Sequence, residues 1–92
     1  MDVEWPLAAV KVSGFPSTMN QYQLAAIFYN FNVNSVHLEG DGAVICFANK
    51  FHAVQAALMF DGVQLDSEHI LKLTPIHDVL KEQFNIGRAM AT

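Results

Sequence analysis

Val33-Asn34-Ser35-Val36-His37-Leu38, then Glu39-Gly40-Asp41-Gly42, then Ala43-Val44-Ile45-Cys46-Phe47 is the stretch whose reading decides the fold. Two apolar, partly β-branched runs flank a cluster of turn residues. That is the pattern of a strand, a tight turn and an antiparallel strand, with Asp41-Gly42 as the hairpin signal. Working outward, a helical pattern lies on each side. Before the hairpin, Asn20 stands three residues ahead of Gln23, a capping-box spacing with Asn in place of Ser or Thr. Leu24, Ile27, Phe28 and Phe31 follow with the i, i+3, i+4, i+7 spacing of a buried helix face. After the hairpin, Asn49 can cap a helix over about residues 50–60, with Ala53, Ala56, Ala57 and Phe60 as its core stripe and Asp61-Gly62 at its end. Beyond the helices, residues 7–13 read as a strand closing on Gly14-Phe15-Pro16, residues 65–67 as a loop, and residues 70–74 as a strand broken by Pro75.

The predicted order is strand, helix, strand, strand, helix, strand. In a single α+β domain this is the split βαβ, ferredoxin-like arrangement: a four-stranded antiparallel sheet with two helices on one face. A last helix is predicted with Asp78 as its cap, running to about residue 85, with Gly87 just past its end. Its apolar side would be Ile76, Leu80 and Phe84, with Val79 beside them. Residues 1–6 then form an N-terminal arm, 7–76 the domain, and 77–92 a C-terminal helix with a frayed tail over 88–92. The C-terminal helix has three open placements: across the free sheet face, elsewhere on the domain, or against a partner.

The chain has 92 residues, of which 52% are hydrophobic and 15% charged, so it carries enough apolar side chain for one core and too much for disorder. The net charge is −4, and the five basic residues, Lys11, Lys50, Lys72, Lys81 and Arg88, are scattered. Strong binding to nucleic acid through phosphates alone needs a basic stripe, which is missing. No apolar run approaches the ~20 residues that span a bilayer, so no membrane partner is expected. Met1-Asp2-Val3-Glu4 is acidic, unlike the basic flank of a secretory leader, and there is a single cysteine, Cys46. Both features lead to the expectation of an intracellular setting, cytoplasm and/or nucleus. His37, His52, His69 and His77 share no metal-ligand spacing with each other or with Cys46, and no nucleophile–base pair or paired carboxylates stand out. The expectation is a non-enzymatic domain with no cofactor, metal or small-molecule ligand.

With the element order established, Val10-Lys11-Val12-Ser13-Gly14-Phe15 resembles the first-strand hexamer of the RNA-recognition motif (RRM) family. Gly40-Asp41-Gly42-Ala43-Val44-Ile45-Cys46-Phe47 sits where that family has its third-strand octamer. Phe60-Asp61-Gly62-Val63-Gln64-Leu65 resembles the segment after its second helix, and Leu71-Lys72-Leu73 its fourth strand. The resemblance covers about residues 7–76 and implies the same ferredoxin-like fold. It also implies where RNA would stack: aromatic rings on the open sheet face. Those positions are Lys11, Gly42 and Val44 here, none of them aromatic. Each stacked base is worth ~1–3 kcal/mol, so a degenerate member that lacks the family's main source of RNA affinity is the expectation. Some degenerate members bind tryptophan-bearing peptides through an acidic first helix and an Arg-x-Phe loop. This chain has neither.

What remains is a gap in charge. From Val12 to Leu38 there is no Asp, Glu, Lys or Arg, and Phe51 to Phe60 is equally free of formal charge. A solvent-facing helix normally carries charge. Tyr22, Ala25, Ala26 and Tyr29 form a second stripe on the first helix, displaced from the core stripe, and exposed aromatics on an uncharged helix have the composition of a protein interface. Val54, Leu58 and Met59 lie off the core stripe of the second helix and extend the same expectation, with Phe51 near its start. The expected partner is a protein, either a second copy of the chain or another RRM-like domain, within an RNA-processing or ribonucleoprotein complex. The alternative is weak single-stranded RNA binding through the sheet face and loops. Lys11, Ser13, Val44 and Lys72 would make the contacts, on a face shared with His37, Cys46 and Thr74. Trp5-Pro6, ahead of the first strand, can clamp either onto the domain's own helices or onto a partner.

Overall fold

A computed structural model describes residues 4–90. Strand β1 (Ala9–Ser13) leads into helix α1 (Gln21–Ile27). A short 3-10 turn (Tyr29–Phe31) precedes the hairpin of β2 (Val33–Glu39) and β3 (Gly42–Phe47). Helix α2 (Lys50–Phe60), strand β4 (Lys72–Pro75) and helix α3 (Asp78–Met90) complete the described chain. The sheet order is β2-β3-β1-β4, every pairing antiparallel, so the two central strands are β1 and β3. This is the predicted ferredoxin-like arrangement.

Local signals explain most of the boundaries. The capping box at the start of α1 is complete: Asn20 Oδ1 accepts from the Gln23 N–H and Gln23 Oε1 from the Asn20 N–H, each at 2.9 Å. Asn49 Oδ1 accepts from the His52 N–H at 2.8 Å and starts α2. The hairpin loop is Gly40-Asp41, since Glu39 pairs with Gly42. The left-handed residue is Gly40 (φ +55°), the first of the two loop positions, so the expected Asp41-Gly42 turn is shifted back by one residue.

One core holds the helices to the sheet. Val10, Val12, Ile45, Phe47 and Leu73 project from one sheet face into a cluster with Phe28, Ala53, Ala56 and Ala57. Phe28 meets Phe47 and Phe60 edge-on, with ring centroids 6.2 Å and 5.0 Å apart. The three alanines let α2 lie close to the sheet.

Five expectations are corrected. Helix α1 ends at Ile27, and Phe31, expected on its core stripe, belongs to the 3-10 turn that Asn32 closes in the left-handed region (φ 56°). Strand β4 runs through Pro75, which pairs with Val10, because β4 is an edge strand and tolerates the missing N–H. Helix α3 does not stop before Gly87 but continues to Met90, and it begins at Asp78, with the His77 carbonyl accepting its first bonds. Gly87 is there for proximity: a Cβ at that position would lie 2.7 Å from Leu58 Cδ1 of α2. Leu80 and Phe84 are buried in the main core. Helix α3 therefore packs on the helical layer beside α2 and β4 and does not lie across the opposite sheet face. Of the tail expected to fray, residues 88–90 are helical, and 91–92 lie outside the described residues.

Candidate protein-interaction surface

Helix α1 has a single turn's worth of anchorage. Leu24 and Phe28 are fully buried, Ile27 partly so. The rest of its surface faces outward. Tyr22 and Tyr29 are 75% and 79% exposed, values that large aromatic side chains keep only where nothing in the domain covers them. Although the α-helix ends between them, the 3-10 turn returns Tyr29 to the same side as Tyr22. Both line an open groove of about 620 Å³ between α1 and the edge strand β2. Tyr22, Ala25 and Tyr29 form one wall, and Val33, Asn34 and Val36 form the other. No formal charge lines it. β2 is irregular here, its register with β3 shifting between Val33 and Ser35. The outer edge of β2 has no strand beyond it among the described residues. Ala26 is exposed but does not line the groove.

The second helix contributes less than its sequence suggests. Val54 and Leu58, expected as interface residues, are half-buried and pack against the core. Leu58 faces Gly87 of α3, whose position was not legible from local pattern. Met59 remains open, as does Phe51, each 63% exposed. None of the α2 residues lines the α1–β2 groove, so the two uncharged helices do not form one continuous patch there.

The other sheet face is not open as expected. Strand register places Lys11, Ser13, His37, Val44, Cys46, Lys72 and Thr74 on it together. Val44, expected to contact RNA, is only 3% exposed, because Trp5 and Ile76 lie over Ala9, Val44 and Cys46. Trp5 thus packs not on the domain's helices but on the far face of the sheet. Its ring centroid lies 5.2 Å from that of His37, and His77 Nε2 donates to the Trp5 carbonyl. Strand β3 is buried at all six positions, on both faces. Apolar residues on both faces of a strand signal a cover on each side. Ala9, Val44 and Cys46 carried that signal in the sequence. Lys11 and Lys72 remain exposed at the β1–β4 side, with Ser13 half-buried between them.

No family model matches the chain. It is 32% identical over 68 residues to the Caenorhabditis elegans protein pid-3, a match over 73% of this chain and 22% of that protein, so the chain spans about a fifth of the relative's length. Among solved structures it is similar to a crystal structure of the PID-3 TOFU-6 RRM domain complex, with 31% identity, a TM-score of 0.72 and coverage of 75% of this chain and 91% of that one. A complex of two RRM domains matches with 30% identity and a TM-score of 0.73, over 78% and 90% of the two chains. The fold and the spacing of its motifs are those of a small βαββαβ domain with a degenerate sheet face. The chain belongs to the RNA-recognition motif family.

Proposed function

We propose that this domain is a protein–protein assembly module that pairs with a second RRM-like domain, a second copy of the chain or a different one, through the outer face of α1 and the groove beside β2. The observation that carries the reading is the pair Tyr22 and Tyr29, almost fully exposed on the wall of an uncharged groove. Exposed tyrosines that can enter a partner pocket are strong interface anchors. Ala25 between them lets a partner backbone approach closely. The related domains solved as complexes of two RRM domains support the same kind of partner. Val33, Asn34 and Val36 are added to the surface from β2. Tyr22, Ala25 and Tyr29 stay in it, while Ala26 and Met59 are exposed but do not line it. The setting is an intracellular ribonucleoprotein or RNA-processing complex, a reading that rests on the family.

The test is molecular mass in solution by light scattering, for the chain alone and mixed with candidate RRM-like domains, repeated with Tyr22→Glu and Tyr29→Glu. Each substitution places a charge in an apolar contact and weakens association by about 30-fold or more. A chain that stays monomeric alone and with every RRM-like partner offered, or pairs unaffected by either change, rejects the proposal.

A further inference from the structure

The sheet has two edges, and the domain treats them differently. The β4 edge is closed. Leu73 and Pro75 turn their backbone nitrogens away from β1: the Leu73 N–H donates to Asp61 Oδ1 at 2.9 Å, and Pro75 has no N–H to offer. Arg88 holds the other Asp61 oxygen at 3.5 Å. Such devices keep an edge strand from pairing with another chain. Strand β2 has none of them along Ser35–Glu39. That run pairs with β3 in unbroken register, contains no proline or lysine, and carries its one formal charge, Glu39, at its end. Glu39 and Gly42 close the Gly40-Asp41 loop, so Glu39 and, two residues back, His37 turn their backbone groups toward β3. Val36 and Leu38 then turn theirs outward, and among the described residues nothing meets them. The flank of this open edge is apolar. Val36 lines the groove beside Tyr22 and Tyr29, and Leu38, on the same side of the strand, lines the next depression with Phe15 and Met19.

Unmet N–H and C=O groups above an apolar lane are what an added strand requires. Strand β2 is complementary to itself. Turned end for end, Val36 of one copy stands opposite Leu38 of the other on both sides of a two-fold axis, so outward backbone groups meet outward backbone groups. Glu39 then stands opposite Ser35, and no two carboxylates face each other. The same axis sets the two α1 helices side by side on one face of the joined sheet, where each copy's tyrosines meet the groove of the other. We propose that two copies of this chain join by antiparallel pairing of β2 with β2, merging two four-stranded sheets into one. This mode of pairing rests on the reading of α1 and its groove as the assembly surface, and adds to it which partner docks and by which atoms.

The experiment uses the whole chain. Light scattering gives the mass, and amide hydrogen exchange by NMR reads the backbone, for the wild type and for Tyr22→Glu as the unpaired reference. The wild type is expected to show the mass of two chains. Exchange at Val36 and Leu38 slows about tenfold or more relative to Tyr22→Glu, while Leu73, already bonded within the chain, does not change. Leu38→Pro removes an outward N–H at an edge position that tolerates proline, and weakens pairing about tenfold or more. Leu38→Ala keeps that N–H and weakens pairing by less. Copies that pair through the tyrosines while Val36 and Leu38 exchange as fast as in Tyr22→Glu overturn strand pairing and leave the assembly surface standing. Folded Leu38→Pro that pairs like the wild type does the same. A chain that pairs only with a different RRM-like domain overturns the second copy as the occupant, again without touching the surface. A chain that pairs with nothing rejects both. If Leu38→Pro fails to fold, exchange in the wild type decides alone.

Discussion

At the scale of single residues, two glycines set limits that the composition does not announce. Gly42 occupies one of the positions where the family carries a stacking ring. A Cβ there would lie 2.7 Å from the carbonyl oxygen of Val12, a backbone atom that cannot swing aside. The aromatic residue is thus barred by the close approach of β1 and β3, and simple reversion cannot restore it. Gly42→Phe is expected to cost about 1–3 kcal/mol of stability and to leave RNA affinity unimproved, read by thermal melting and anisotropy. Gly14 is stricter. Its φ is +89°, and a Cβ would lie 2.0 Å from the Ile70 carbonyl oxygen. Gly14→Ala combines a left-handed backbone with a backbone collision, so a loss of at least about 2 kcal/mol in a denaturant melt is expected. A melt unchanged within error contradicts the packing of the β1–α1 loop against residue 70.

At the scale of elements, what was legible in the sequence was what is local. The Asn20–Gln23 box, the Asn49 cap and the apolar run of β3 are each contained within a few residues, and each forms as read. Several of the misreadings are positions where a distant element decides. Pro75 breaks a central strand but not an edge strand, and edge status depends on where β1 lies. Gly87 reads as a helix stop, yet α3 runs through it, and the missing side chain there leaves room for Leu58 of α2. That contact also removed Leu58 from the candidate interface. Trp5 is the extreme case, since its partners His37, Val44 and His77 are far off in sequence. The segment before β4 supplies an element-scale prediction. Residues 63–71 form a small hairpin, with Gln64 bridging Ile70 and the Leu65 N–H donating to the His69 carbonyl at 2.8 Å. Asp66 Oδ1 accepts from the Glu68 N–H at its tip and meets His69 Nδ1 at 2.8 Å. The Glu68 backbone bond and then His69 hold the Asp66 carboxyl below its ordinary value. Because the folded-state value is the lower one, the support is present above the unfolded carboxylate range and is lost as pH falls through the folded value. Amide exchange at Leu65 and His69 should therefore accelerate, relative to the sheet, on acidification through and below that range. In Asp66→Asn it should already be faster at neutral pH, with little further change in acid.

At the scale of the molecule, the chain separates charge from apolar surface. Lys11 and Lys72 stand at the β1–β4 side of the sheet, while the α1–β2 groove lies in a stretch of sequence without one formal charge. Two binding events on these two surfaces must then answer salt differently. Assembly through the groove has no Coulomb contribution to screen, and its affinity should stay within about twofold between roughly 0.05 and 0.5 M salt. Apolar burial does not weaken as ionic strength rises. RNA binding through Lys11 and Lys72, the alternative the sequence offers, should fall steeply over the same range, because each lysine–phosphate contact releases counterions. Sedimentation and anisotropy across one salt series measure both. The double substitution Tyr22→Glu, Tyr29→Glu should abolish the salt-insensitive event and leave the salt-sensitive one intact, since the residues share no contact with the lysine side of the sheet. An assembly that dissolves with salt as steeply as the RNA complex would place the interface on the charged surface, and the exposed tyrosines would then need another explanation.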